Sequence, residues 1–220
     1  MLTESLPLET LLPPAGLSCL AVVALVLSDF RDFRAGRYLF KPLAAAAFIW
    51  LAVSLDATAT AYGSWMLVAL VCCMIGDLCL MLEDEKAFLA GLTAFLCGHL
   101  LFALAFLQLP SSPMGLALTI VPALILLVGV GRWLGPHVPA DMKIPVALYV
   151  LVITTMLLCA GSTAGQPAAT LIIFGAWGFA CSDLAVARRQ FVNPSRSNGL
   201  WGTPLYFLSQ MVLASSIALV

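Results

Sequence analysis

Residues 71–82 read Val-Cys-Cys-Met-Ile-Gly-Asp-Leu-Cys-Leu-Met-Leu, the second half of an apolar run that begins at Ser64 and is interrupted only by Asp77. A run of about 19 such residues matches the hydrocarbon thickness of a bilayer, so it reads as a membrane-spanning helix with a carboxyl inside it. A second stretch repeats the theme: Phe-Gly-Ala-Trp-Gly-Phe-Ala-Cys-Ser-Asp-Leu-Ala-Val-Ala over residues 174–187, with Asp183 in the span. An ionisable group in a span costs a few kcal/mol or more, and a chain that keeps two is using them. Each is preceded by a small residue, Gly76 or Ser182, and followed by Leu.

Working outward, the chain of 220 residues is 62% hydrophobic and 10% charged, too apolar for a water-soluble domain to cover. Eight apolar segments follow one another: Leu11 to Leu27, Pro42 to Leu55, Ser64 to Leu82, Ala87 to Leu109, Gly115 to Val130, Ile144 to Cys159, Ala168 to Ala187 and Thr203 to Val220. Charges or Pro/Gly/Ser clusters separate them, such as Leu-Pro-Ser-Ser-Pro-Met at 109–114. The expected fold is an all-α integral membrane protein, a bundle of eight transmembrane helices forming one domain over residues 1–220.

Charge placement gives an independent check. The ten basic residues all fall in odd-numbered loops: Arg31, Arg34, Arg37 and Lys41 in the first, Lys86 in the third, Arg132 and Lys143 in the fifth, Arg188, Arg189 and Arg196 in the seventh. Eight spans put them on one face, which the positive-inside rule makes cytoplasmic, with both termini opposite. The net charge of -1 gives no reason to expect nucleic acid; the basic loops set orientation and meet anionic lipid. Short loops and Ala-rich spans fit a bacterial inner membrane, although a reticulum membrane obeys the same charge rule.

Residues 1–10 carry acids where a signal peptide carries a basic region, so the first span is expected to be retained. The seven cysteines contain no Cys-x-x-Cys pair and read as small packing residues. With His99 and His137 the only histidines, no metal site or other cofactor is expected.

A weak internal repeat runs through the chain. Gly76-Asp77-Leu78 and Ser182-Asp183-Leu184 lie near the ends of spans three and seven, and Lys41-Pro42 and Lys143-Ile144-Pro145 open spans two and six. An offset of four helices preserves orientation, so residues 1–110 and 111–220 would be parallel repeats about an axis along the membrane normal.

Depth brings the polar groups together. Asp77 and Asp183 lie about five residues, roughly 7 Å, from the basic end of their spans. Tyr149, Tyr206 and Gln210 occupy the same half of the bilayer, Lys41 marks its mouth, and all should converge on an internal cavity open to that face. His99, about 20 Å along its helix from Lys86, is expected as the cavity floor. Each group also has a structural reading: an acid paired with Lys41, or a histidine hydrogen-bonded within the bundle beside Gly91, Phe95 and Gly98. Trp65, Trp133 and Trp201 read as interfacial anchors, and residues 83–86 as a solvated loop.

These motifs carry a resemblance. Gly76-Asp77-Leu78, then Phe88-x-x-Gly91-x-x-x-Phe95-x-x-Gly98-His99, Pro145-x-x-x-Tyr149, Gly175-Ala176-x-x-Phe179-x-x-Ser182-Asp183-x-x-x-Ala187 and Tyr206-x-x-x-Gln210 together resemble the YhhN family of lysoplasmalogenases. The likeness runs from about Arg37 to the C-terminus and includes Lys41-Pro42; Leu205 departs from the aromatic found beside the tyrosine in some relatives. It implies hydrolysis of the vinyl ether bond of a lysophospholipid, giving a fatty aldehyde and glycerophospho-ethanolamine or glycerophospho-choline.

The inferred site suits that chemistry. A vinyl ether opens by slow protonation of its β-carbon to an oxocarbenium ion, which water traps as a hemiacetal. The step needs a carboxylic acid that holds a proton, a state that burial favours, and a second carboxylate to stabilise the cation and activate water. Asp77 and Asp183 are the candidate acid and base, in either order, with His99 or Tyr149 orienting the water or the partner carboxylate. Lys41, Tyr206 and Gln210 are candidates to bind phosphate and glyceryl oxygens. Paired intramembrane acids and parallel repeats also describe a proton-coupled carrier of a small solute or lipid, which stands as the competing class.

Overall fold

The computed structural model describes residues 8–82 and 84–220, so the readings of residues 1–7 and of Glu83 lie outside the described residues. Eight helices follow in order: α1 Leu8–Phe30, α2 Arg34–Ser54, α3 Ala61–Cys79, α4 Glu85–Phe106, α5 Pro113–Leu134, α6 Lys143–Ser162, α7 Ala169–Ala187 and α8 Ser197–Ser215. All eight are long and apolar enough to cross a membrane, as the hydropathy pattern requires. Three start on a side-chain cap: Thr60 accepts from Gly63 N–H, Asp84 from Ala87 and Ser112 from Gly115.

Helices α2, α3, α4, α6, α7 and α8 form a closed ring, each packed on the next. α1 lies outside against α2 and α8, and α5 outside against α6. The ring is solid at one end, where Phe48, Met66, Phe102, Met156, Ile172 and Leu213 are fully buried. These residues come from the halves of their helices that point away from the basic loops. Close contact there needs small residues: a Cβ on Gly98 of α4 would meet the Cys73 sulfur of α3 at 2.8 Å. Outside, Leu20, Leu118, Ile125, Phe174 and Leu208 are exposed, an apolar surface suited to lipid.

Two boundaries differ from the hydropathy reading. α2 begins at Arg34, so Arg34, Arg37 and Lys41 lie inside its first turns rather than in a loop, and Pro42 is interior. Long basic side chains allow this because their stems lie along apolar surface while the charge reaches a partner or the interface; Arg37 lies 3.6 Å from Asp29 of α1. At the end of α7 the chain does not leave the helical path. It continues through a π-helical turn, Arg188–Val192, before α8 starts.

Candidate functional site

At the basic end the ring is open, and a cavity runs into it among α2, α3, α4, α6, α7 and α8. Lys41, Asp77, Tyr149, Asp183 and Tyr206 all line it. Five of the seven residues expected from sequence thus meet on one cavity. The other two stand behind its wall.

Asp77 is buried on α3, and each of its oxygens has a donor. The Tyr206 hydroxyl of α8 donates to Oδ2 at 2.7 Å, and Lys41 Nζ of α2 sits 3.2 Å from Oδ1. A carboxyl with both oxygens engaged by donors is built to hold negative charge. A proton on either oxygen would displace one donor.

Asp183, on α7, has a different set. Tyr149 of α6 donates its hydroxyl to Oδ2 at 3.1 Å, and His99 Nε2 of α4 lies 3.2 Å from the same oxygen, off the line of a straight hydrogen bond. Among the described residues Oδ1 has no protein partner, and Asp183 lines the cavity. The other ring nitrogen of His99 faces the Phe95 carbonyl at 2.7 Å. A carbonyl only accepts, so Nδ1 carries hydrogen and Nε2 of the neutral ring is bare. Nε2 of His99 is thus the ring atom that faces Asp183.

Aromatic rings hold these groups in place. His99 stacks on Phe179 with centroids 4.2 Å apart and meets Tyr149 edge-on at 5.4 Å, while Phe95 stands edge-on to Tyr206 at 5.8 Å. Hydroxyl and imidazole tips fixed by packed rings need little reorganisation when charge develops beside them.

His99 is not a floor beneath the acids; it is in contact with one of them. The contact joins α4 to α7, and the helical path after Asp183 runs on through the π turn to Val192. Gln210 is fully buried and lies off the cavity lining, with its amide against the Cys73 thiol of α3.

The mouth holds residues that the sequence pattern does not single out. Arg189 and Gln190 of the π turn and Asn198 of α8 line it. Arg188 donates to Asn198 Oδ1 at 2.8 Å, and Asn198 donates to the Asn193 carbonyl at 2.7 Å, which braces the turn. Arg189 has no carboxylate within 4.0 Å among the described residues, although its charge is felt at Asp29, whereas Lys41 pairs with Asp77. The only advance signal was Arg188-Arg189 as loop charge.

An eight-helix bundle with two differently partnered acids on an internal cavity defines a polytopic membrane protein with a candidate acid–base site in its interior. The chain belongs to the YhhN family, whose sequence profile matches residues 36–217. It is 31% identical to the pig protein named lysoplasmalogenase TMEM86B over 71% of this chain and 65% of the relative, and 32% identical to the human protein of that name over 79% and 70%. The lysoplasmalogenase of Mycobacterium bovis is 30% identical over 79% of this chain and 68% of its own. The chain thus spans about two thirds of the length of these relatives. No solved structure matches it.

Proposed function

We propose that the chain is a lysoplasmalogenase, hydrolysing the vinyl ether of a lysophospholipid to a fatty aldehyde and a glycerophospho-ethanolamine or glycerophospho-choline. The observation that carries this is the unequal partnering of two acids on one cavity. Asp77 is held by an ammonium and a phenol, Asp183 by a phenol and an imidazole. The names of the relatives point the same way.

The roles follow from the partners. Asp183 is the acid: in its protonated form it carries the proton on Oδ1, the oxygen with no protein partner, and delivers it to the β-carbon, leaving a carboxylate that Tyr149 and His99 flank at Oδ2. The oxocarbenium ion that forms lies between Asp183 and Asp77, whose negative charge stabilises it. Water adds to the cationic carbon and gives its proton to Asp183, restoring the couple with His99. The resulting hemiacetal breaks its bond to the glyceryl oxygen, with proton transfer from hydroxyl to leaving oxygen, releasing aldehyde and the glycerol-containing product. Tyr149 and Tyr206 keep the two carboxyls oriented. Lys41 balances Asp77, and the phosphate falls to Arg189 at the mouth. Gln210 acts from behind, by position.

The wider setting belongs to the same reading. The basic end faces the cytoplasm, both termini lie opposite, and the membrane is a bacterial inner membrane; one-sided basic loops support this orientation. The halves are parallel repeats, supported by the site itself. Asp77 on α3 takes partners from α2 and α8, and Asp183 on α7 takes partners from α6 and α4, the same pattern shifted by four helices.

The deciding experiment is aldehyde release from a lysoplasmalogen by purified protein in detergent, with no ion gradient. Steady release establishes hydrolysis. Its absence, with proton-coupled uptake in vesicles, would transfer the two acids to a carrier mechanism.

A further inference from the structure

α5 and α6 are clamped together at one end and flanked by cavities at the other. Near the end opposite the basic loops, a Cβ on Gly115 would collide with the Gly161 carbonyl oxygen, and one on Gly161 with Thr119 Oγ1. Ser112 N–H also bonds the Ser162 carbonyl there, at 2.6 Å. Only glycines permit that approach. Toward the basic end the pair is flanked by a cavity on each side, with Leu134 buried between them, and a Cβ on Gly131 would meet nothing within 4 Å. Pro122, which removes one helical hydrogen bond, sits between the clamped and the cavity-flanked halves.

Together the two cavities make a wedge, and it is continuous with the site. Val130 and Leu134 of α5 and Val146 and Val150 of α6 line both the cavity that holds the acids and a second groove on the outer side. On the other flank α5 makes no extensive packing on α4, and Leu126 of α5 and Leu92 of α4 both line the cavity. Wall residues are aliphatic from the acids to the exterior. The one charged residue of the outer groove is Lys143, at its basic end. The exterior beside it is the lipid-facing surface of α5, where Val121, Ile125 and Val128 are exposed.

The geometry points to a lateral portal: the hydrocarbon chain of a single-chain lipid lies in the α5–α6 wedge and reaches the acids sideways from the leaflet at the basic end. This rests on the reading of the substrate as a lysophospholipid. An aliphatic slot that opens on lipid and closes on two acids fits a hydrocarbon tail at one end and a glyceryl ether at the other. A solute arriving from water would use the polar mouth at Lys41 and Arg189 instead. A single chain fills one slot between two helices; the second chain of a diacyl lipid has no place beside it.

The test uses a lysolipid that cannot be cleaved, a 1-O-hexadecyl lysophosphoethanolamine with a diazirine near the end of its chain. It is photolysed with the purified protein in lipid nanodiscs, and the adducts are mapped by mass spectrometry. Adducts are expected on α5 and α6 at Leu127, Val130, Val146 or Val150, competed by unlabelled lysolipid. Gly131→Phe, whose ring enters open space in the wedge, should lower that labelling at least tenfold. Gly129→Phe, equally unobstructed but outside both cavities, should leave it within about twofold. Adducts spread over lipid-facing positions such as Leu20 and Leu208, or equal labelling in the two variants, would overturn the portal. Aldehyde release from a cleavable vinyl ether is measured in parallel. Labelled wedge without cleavage keeps the portal and removes the hydrolase reading; cleavage without wedge labelling does the reverse.

Discussion

His99 faces Asp183 with the nitrogen that carries no hydrogen in the neutral ring, because its Nδ1–H is spent on the Phe95 carbonyl one helical turn back. Protonated Asp183 could pass its proton to this nitrogen, so the pair can act as an acid–base couple. Asp183→Asn removes the atom that gives and takes this proton while keeping the shape, so turnover should fall by about a thousandfold or more. His99→Gln should cost about a hundredfold, since Asp183 remains but loses its proton store. Both variants should melt within a few degrees of the parent. Near-normal aldehyde production by Asp183→Asn would remove it from the mechanism.

Lys41 and Asp77 form an ion pair at 3.2 Å, with Asp77 almost fully out of solvent. Lys41→Met strands a buried carboxylate, a defect of about 3 kcal/mol. Expected are a large loss of kcat and a lower melting temperature. Lys41→Met combined with Asp77→Asn should recover most of the stability and none of the activity. A change confined to KM in the single variant would return Lys41 to the role of phosphate anchor.

Orientation is checked by cysteine labelling in a protein whose seven native cysteines have been replaced. A probe at Ser111, exposed at the end opposite the basic loops, should react with an impermeant maleimide applied outside intact cells. One at Asp141, exposed at the basic end, should react only after permeabilisation. The reverse pattern would turn the portal toward the outer leaflet.

How much of this could be read from the chain depends on range. Eight helices and their common basic end are legible because hydropathy and charge are summed over 20 residues, and errors of a few residues, as at Arg34, do not change the sum. Asp77, Asp183, Lys41, Tyr149 and Tyr206 are legible because a polar group in a span has nowhere to go but inward. Contacts between helices are another matter. The His99–Asp183 contact joins residues 84 positions apart on different helices, and no local pattern marks either that pairing or the π turn after α7. The same turn aims Arg189 at the cavity, where sequence shows only one more basic residue of a loop. The α5–α6 wedge comes from the meeting of Gly115 and Gly161, 46 positions apart, a tertiary fact that neither helix contains alone.

Arg189 carries the last prediction. It lines the mouth with no carboxylate in ion-pair reach among the described residues, and its guanidinium can take two phosphate oxygens at once. The phosphate is several bonds from the vinyl ether, so its binding is felt equally in the ground and transition states and should appear in KM. Arg189→Gln should raise KM for a lysophospholipid by about tenfold or more, the worth of one charge-assisted hydrogen bond, with kcat little changed. A 1-alkenylglycerol, which has the same vinyl ether and no phosphate, supplies the control. The parent should bind it more weakly than the phospholipid, and Arg189→Gln should leave its KM within about twofold. A substitution that raises both KM values alike acts by disturbing the π turn, and would take the phosphate away from Arg189.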